Sequence, residues 1–279
     1  YYYKKFLLMI MKNNKIKAII LSAGEGKRLR PLTDKKPKSM VKLFNKSLLD
    51  WQIKKFNDLQ IFDISVVKGY KSEAISIKNI NYFYNFKFSK TNMVETLFCA
   101  KDKLEGNIII SYGDIIYEKN VLEKLIKDES DISVIIDKNW EYYWKMRFNN
   151  PLEDAESLVL DENNFIKNIG QPVKEIKEIQ GQYIGLIKFQ NKGTEILNEF
   201  YKKMKNKAKN GNNPLNSSIP FEKSYMTDLL QGIINEGNKV KAIPIKNGWL
   251  ELDSMKDYNL YNEKLKNGTI SELINLEKL

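Results

Sequence analysis

The chain has 279 residues, which is long enough for one large α/β domain with a sizeable buried core. Its 46 basic residues outnumber its 35 acidic ones and give a net charge of +11. Because 43 of the basic residues are lysines scattered along the chain, the charge indicates compositional bias. No RNA-binding signature is present, so we expect no nucleic-acid partner. A single cysteine, Cys99, and no histidine exclude an intramolecular disulfide and histidine chemistry, and we expect a cytoplasmic protein.

Alternating strands and helices fill the first half of the chain. We predict an extension over residues 1–15, whose apolar stretch is too short to cross a membrane, so that no membrane partner is expected. The predicted strands cover residues 18–23, 61–69, 81–84, 107–114 and 132–137. The predicted helices cover residues 48–59, 72–77, 92–103 and 118–128. This order predicts a doubly wound, mainly parallel mixed sheet of the α/β class, with ligands at the carboxyl ends of its strands.

The second half departs from this alternation. Strands are predicted at 157–160, 165–169 and 182–189, some of them antiparallel and forming a small cover over the site. Further predicted elements are helices at 192–207 and 225–235 and strands at 239–245 and 249–253. The domain then spans 16–256, and a helical tail over 257–279 packs either on it or on a second subunit, so a homodimer stays open.

A glycine-containing loop follows the first strand and is rich in cations. The segment that we expect to bind nucleotide consists of Leu21, Ser22, Ala23, Gly24, Glu25, Gly26, Lys27 and Arg28. The glycines let the backbone approach an anion closely, and the cations that follow can neutralise a triphosphate. Those cations are Lys27, Arg28, Arg30, Lys35, Lys36, Lys38 and Lys42. A glycine turn with a solvated basic face is the alternative, whereas a dinucleotide fingerprint and a P-loop lack support in these residues.

With Pro37-Lys38-Ser39-Met40, this loop resembles the signature of nucleotidyltransferases of the sugar-phosphate nucleotidylyltransferase type. The resemblance covers roughly residues 17–260. It implies a Rossmann-like catalytic domain in which Arg28 holds the leaving pyrophosphate and Lys38 contacts phosphate, with Lys42 and Arg30 as supporting charges.

The resemblance extends to the segment 90–97 and to Gly170-Gln171-Pro172, which stands where sugar enzymes carry Glu-Lys-Pro. Both are similar to the cytidylyltransferase branch. The segment 137–156, with Gln182-Tyr183-Ile184-Gly185, is similar to the members that act on phosphocholine, 2-aminoethylphosphonate and phosphoglutamine. In such enzymes Gly69, Thr91 and Asn92 would help to recognise the base, although helix capping alone also explains the last two.

Two aspartates are the candidates for binding metal. Asp114 ends a predicted central strand, and Asp253 ends the late strand that also carries Glu251. The resemblance implies that Asp114 and Asp253 hold Mg²⁺ and that Asp114 is catalytic, whereas Asp114 could also be an ordinary turn residue. Glu251 and Asp257 rank below Asp253 because an ordinary surface position also explains both of them.

The acceptor pocket is predicted in an aromatic and acidic segment, residues 137–156. Aromatic rings beside carboxylates suit an ammonium group, and an arginine suits a phosphate or a carboxylate. The residues that we expect to bind the acceptor are Lys38, Tyr112, Trp140, Trp144, Arg147, Asp154, Glu156 and Tyr183. A surface helix with core aromatics is the alternative.

These patterns together predict a Mg²⁺-dependent cytidylyltransferase that uses CTP and a small phosphorylated or phosphonylated amino compound and releases pyrophosphate. Its chemistry needs no histidine because the attacking phosphate oxygen is already ionised at neutral pH. One alternative is a sugar-1-phosphate nucleotidylyltransferase, and another is a non-catalytic nucleotide- or nucleic-acid-binding domain.

Overall fold

The computed structural model describes residues 15–279, so the predicted extension lies almost wholly outside the described residues. The strands are β1 (Ile16–Ser22), β2 (Lys42–Leu43), β3 (Lys46–Ser47), β4 (Asp63–Lys68), β5 (Asn81–Tyr84), β6 (Asn107–Tyr112), β7 (Ile115–Tyr117), β8 (Ile132–Asp137), β9 (Leu158–Leu160), β10 (Ile166–Ile169), β11 (Gln182–Phe189), β12 (Lys241–Ile245) and β13 (Trp249–Glu251). The α-helices are α1 (Leu48–Asp58), α2 (Met93–Phe98), α3 (Lys119–Lys127), α4 (Trp140–Arg147), α5 (Lys192–Ala208), α6 (Met226–Asn235) and α7 (Met255–Lys266).

A seven-stranded sheet in the order β12-β8-β11-β6-β1-β4-β5 forms the centre of the molecule. Its strands are parallel except β11, which runs antiparallel to β6 and β8. The predicted doubly wound, mainly parallel sheet is therefore confirmed. The sequence groups residues 182–189 with strands of which some form the cover. In the structure β11 lies inside the main sheet, because both of its edges pair with other strands.

Successive residues of the central strands enter two different apolar cores. Ala18 and Ile20 of β1 face the core that α1, α3, α4 and α7 complete, whereas Ile19 faces the core under α2, α5 and α6. Because both faces are covered, the strand reads as a continuous apolar run. Burial of one isoleucine in this way stabilises the fold by about 1.5–3 kcal/mol.

Small antiparallel sheets complete the fold. The β9–β10 hairpin lies against α6, where Ile169 N donates to Gln231 Oε1 at 2.8 Å. The β7–β13 pair brings a late strand to the carboxyl end of β6. No helix within residues 15–279 has the length and apolar character that crossing a membrane requires.

Two predicted helices are shorter than the sequence pattern indicates. The helix predicted at 72–77 is a single 3-10 turn, Ser72–Ala74, that begins after Lys71 in a left-handed conformation. The helix predicted at 92–103 ends at Phe98 and is followed by a 3-10 turn, Lys101–Lys103. In the tail, α7 packs on the domain through the buried side chains of Asp257 and Tyr261.

Candidate active site

The loop after β1 approaches Lys38 closely. Gly26 has φ +66°, and a Cβ there would lie 2.9 Å from Lys38 Cβ, so the left-handed glycine permits this approach. Thr33 Oγ1 donates to the Gly26 carbonyl at 2.8 Å and fixes the turn. The loop thus holds the Lys38 stem against its own backbone.

Asp114 and Asp253 meet because two strand ends are held together. Gly113 N donates to the Leu21 carbonyl at 2.9 Å, which places Asp114 beside the end of β1. β13 pairs with β7, and Leu252 N donates to the Asp114 carbonyl at 2.9 Å. Two acids separated by more than 130 residues in the sequence therefore lie side by side at the carboxyl edge of the sheet.

Lys38 joins these two carboxylates. Its Nζ donates to Asp114 Oδ2 at 2.7 Å and to Asp253 Oδ1 at 2.5 Å, and Arg28 pairs with Asp253 Oδ2. Burial lowers the pKa of Lys38, but the charges of Asp114, Asp253 and Glu251 outweigh it and raise the pKa well above its ordinary value. Burial raises the pKa of Asp253, yet Lys38 and Arg28 lower it below its ordinary value. The Lys38 ammonium is therefore a fixed cation at neutral pH.

A first pocket of about 600 Å³, open to solvent, lies above the start of the loop. The predicted residues that line it are Leu21, Ser22, Ala23, Gly24, Lys38, Thr91, Asn92, Tyr112 and Asp114. Ser22 Oγ, Ser39 Oγ and Asp114 Oδ1 are buried there without a hydrogen-bond partner among residues 15–279. Unpartnered buried oxygens are costly, so this pocket is built to receive polar ligand groups.

Several residues predicted to bind nucleotide lie outside the lining of this first pocket. Gly69 packs behind it, because a Cβ there would lie 2.7 Å from the Ala23 carbonyl oxygen and 2.8 Å from Phe88 Cβ. Glu25 pairs with Lys27 at 3.5 Å. These three residues and Gly26 support the loop from outside the pocket, whereas Arg28 approaches the site through Asp253.

A second pocket of about 660 Å³ shares the side chains of Met93 and Tyr112 with the first. The other predicted residues that line it are Trp144, Asp154, Glu156 and Tyr183. Trp144 Nε1 and Tyr183 Oη are buried, the first near the Asp154 carboxylate and the second near the Tyr112 hydroxyl. The two pockets thus adjoin, with Lys38 and Asp114 lining the first and Glu251 lining the second.

The second pocket is acidic. Asp154, Glu156 and Glu251 line it, whereas no lysine or arginine does among the residues that the structure describes. Burial, with the nearby charges of Asp154 and Asp228, raises the pKa of Glu156 to about 7. Because a cationic ligand would relieve both the desolvation and the repulsion of these acids, the pocket suits an ammonium group.

Comparison with known proteins shows which family this chain belongs to. A model of the family described as "Nucleotidyl transferase" matches residues 17–142. The CTP:phosphoglutamine cytidylyltransferase of Campylobacter jejuni is 38% identical over 260 residues, which are 88% of this chain and 99% of that protein. The chain belongs to the nucleotidyltransferase family.

Solved nucleotidyltransferase structures share the fold. The CTP:phosphocholine cytidylyltransferase of Streptococcus pneumoniae superposes with a TM-score of 0.71 at 23% identity, covering 90% of this chain and 99% of that one. The inositol-1-phosphate CTP transferase of T. maritima gives a TM-score of 0.66 at 20% identity, covering 94% and 98% of the two chains. These likenesses extend over nearly the whole described domain and confirm its Rossmann-like nucleotidyltransferase architecture.

In this nucleotidyltransferase, two of the predicted acceptor residues lie behind the second pocket. Trp140 is buried in the core, where its ring is edge-on to Trp144. Arg147 is 2% exposed, and its Nε donates to Asp257 Oδ1 at 2.9 Å while Nη1 donates to Glu251 Oε2 at 2.7 Å. Asp257 Oδ2 in turn accepts from Asp253 N at 3.0 Å. The guanidinium is therefore engaged by carboxylates and holds the segment that carries Glu251 and Asp253.

Four residues that line the two pockets are not predicted from the sequence. Ser39 and Phe88 line the first pocket, and Tyr225 and Thr227 line the second. Ser39 directly follows Lys38 in the predicted signature, so its position next to a predicted site residue could have identified it. Thr227 lies at the start of α6, which long-range contacts bring to the pocket: Gly170 packs against Thr227, and Asn92 N donates to Glu222 O at 2.8 Å.

Proposed function

We propose that this chain transfers CMP from CTP to a small phosphorylated or phosphonylated amino compound and releases pyrophosphate. The observation that carries the proposal is the pair of adjoining pockets, one beside a glycine loop and the other acidic, with Lys38 and the two aspartates near their junction. The similarity to the C. jejuni enzyme supports CTP as donor and an amino-acid-like phosphate as acceptor.

The residues present fit a divalent metal such as Mg²⁺. No cluster of three potential metal-ligating acids, cysteines or histidines occurs within residues 15–279, but Asp114 and Asp253 supply hard oxygen ligands, and Asp114 Oδ1 is buried without a partner. Magnesium commonly takes one or two carboxylates and completes its shell with phosphate oxygens and water. When bound by these two aspartates, the ion would neutralise charge at the α-phosphate.

The chain's own residues then act by position and charge. The backbone from Leu21 to Gly24 would border the triphosphate, and Lys38 would stabilise negative charge that develops at the reacting phosphate. An oxygen of the acceptor phosphate attacks the α-phosphorus, the bond to the bridging oxygen breaks, and pyrophosphate leaves with that electron pair. No proton has to be removed from the acceptor, which agrees with a site that lacks histidine.

In the second pocket, Asp154 and Glu156 would hold the ammonium group, and the ring of Trp144 would cover it. The buried donors Trp144 Nε1 and Tyr183 Oη would meet an oxygen of the acceptor. Arg147 would act indirectly, by fixing Glu251 and Asp257.

A pyrophosphate-release assay with a panel of donors and acceptors tests this function. We expect turnover with CTP and at least one of phosphoglutamine, phosphocholine or 2-aminoethylphosphonate, and none with CTP alone. Turnover only with sugar 1-phosphates would support the rival sugar nucleotidylyltransferase. Nucleotide binding without pyrophosphate release from any pair would contradict the proposed transfer.

A further inference from the structure

Asn85 follows edge strand β5 and organises one wall of the first pocket. It is 3% exposed, and its backbone N donates to the Lys68 carbonyl at 2.8 Å, which extends the pairing of β5 with β4. Its side-chain Nδ2 donates to Thr91 Oγ1 at 2.8 Å and to Thr96 Oγ1 at 2.9 Å. Both threonines line the pocket. A buried amide thus ties together two hydroxyls that border the ligand space.

The direction of every hydrogen bond in this network is determined. The backbone N of Lys87 donates to Asn85 Oδ1 at 3.0 Å, which fixes the oxygen of the amide on that side and directs its NH₂ toward the threonines. Each threonine oxygen therefore accepts from Asn85. Its own proton points to a backbone carbonyl, from Thr91 to Lys87 O at 3.0 Å and from Thr96 to Asn92 O at 2.9 Å.

This arrangement leaves Thr91 able only to accept. A hydroxyl has one proton and two lone pairs, and here the proton and one lone pair are already engaged. Thr91 is half-buried, whereas Thr96 is 6% exposed and serves mainly to anchor Asn85. The free lone pair of Thr91 is thus the group that a ligand can meet on this wall.

The position of this wall indicates which part of a nucleotide it meets. Gly24, Lys38 and Asp114 form the side of the pocket that suits phosphates. Phe88 and Thr91 come from the β5–α2 connection and provide an aromatic ring and a polar edge, which suits a base.

We propose that Asn85 is a positioning residue for nucleotide selection, which makes Thr91 an obligatory acceptor and so favours a pyrimidine with an amino donor over one with a carbonyl. Cytosine presents N4–H₂ as a donor, whereas uracil presents the O4 acceptor at the same position. UTP would set two acceptors against each other, and neither group could reorient, because the Thr91 proton is held by Lys87 O. The inference rests on the proposed function only in taking the first pocket as the nucleotide site.

Two substitutions should weaken the selection from opposite sides. Thr91→Val keeps the shape and removes the acceptor, so CTP binding should weaken about tenfold while UTP binding changes little. Asn85→Ala removes both the donor to Thr91 and the acceptor that fixes the Lys87 backbone. The Thr91 hydroxyl is then no longer held on Lys87 O and can turn its proton toward O4, so UTP binding should tighten while CTP binding changes by less than about threefold. Thr91→Ser keeps the hydroxyl and is the matched control.

The measurement is the dissociation constant of CTP and of UTP by titration calorimetry with Mg²⁺ present, for the wild type and the three variants, with circular dichroism as a check on folding. A fall in the ratio of UTP to CTP dissociation constants by about tenfold in the first two variants, with the Thr91→Ser ratio kept, supports the inference. CTP binding by the wild type with an unchanged ratio in either Asn85→Ala or Thr91→Val overturns it and leaves the proposed function intact. Failure of the wild type to bind either nucleotide overturns both.

Discussion

Replacement of Lys38 by methionine removes the cation that separates two buried carboxylates. Lys38 Nζ contacts Asp114 Oδ2 at 2.7 Å and Asp253 Oδ1 at 2.5 Å, and all three side chains are less than one-fifth exposed. Methionine fills a similar volume without charge. The substitution therefore tests whether Lys38 holds the acid pair together in the ligand-free protein as well as acting on phosphate.

The magnitude follows from the geometry. Because both oxygens contact one nitrogen, they lie at most about 5 Å apart, and two unit charges at that distance repel by about 3 kcal/mol at an effective dielectric constant near 20. We expect Lys38→Met to lose about that much unfolding free energy at pH 7. Arg28, which still pairs with Asp253, compensates part of this repulsion, whereas the loss of both Lys38 ion pairs adds to the cost, so the figure gives the order of magnitude.

The pH dependence gives the sign of the effect. In the wild type the raised pKa of Lys38 keeps its contribution constant from pH 5 to 9, because that contribution is lost only as pH rises through the folded-state pKa. Without Lys38, repulsion should raise the pKa of one aspartate, so that the variant recovers stability relative to the wild type as pH falls from 7 to 5.

Urea unfolding at pH 7 and pH 5 measures both effects. Lys42→Met is the matched control, since Lys42 is exposed and carries the same charge. The double variant Lys38→Met/Asp253→Asn should regain most of the lost free energy. Equal stability of Lys38→Met and Lys42→Met at pH 7 would refute the reasoning.

Three further substitutions separate the roles of the remaining site residues. Asp114→Asn should lower kcat by about 10²–10³ while circular dichroism shows a folded protein, and near-normal turnover would count against its role at the reacting phosphate. Glu156 is protonated below its pKa of about 7, so the acceptor KM should fall as pH rises from 6 to 8, and Glu156→Gln should flatten this change relative to wild type. Arg147→Lys cannot keep the ion pairs to both Asp257 and Glu251. It should lower the free energy of unfolding in urea by about 2 kcal/mol and should also lower kcat. A normal kcat would show that the cluster does not position the acids.

The sequence predicts the sheet and the first loop well because both depend on local signals. The apolar run of β1 indicates a strand covered on both faces, and Gly26 permits the left-handed turn that the structure contains. The strand of residues 182–189 was also located correctly. Its place in the sheet was not, because pairing partners depend on long-range topology that strand periodicity does not encode.

The acceptor segment shows the same limit at the level of side chains. Trp144, Asp154 and Glu156 line the second pocket. Trp140 and Arg147 belong to the same short segment, but their side chains are buried in the interior of the domain. The sequence predicts that Arg147 binds a phosphate or a carboxylate of the acceptor. Its partners, Glu251 and Asp257, lie more than 100 residues away, so only the folded chain reveals that the planar fork binds carboxylates of the protein itself.

The most direct test of the account is a competition in a single reaction. The wild-type enzyme with Mg²⁺ and CTP would receive equal concentrations of phosphoglutamine, phosphocholine, 2-aminoethylphosphonate and glucose 1-phosphate, and the products would be identified by mass spectrometry. We expect a cytidylylated amino compound as the main product, formed in equal amount to pyrophosphate. A cytidylylated sugar as the main product, or no cytidylylated product at all, would contradict it.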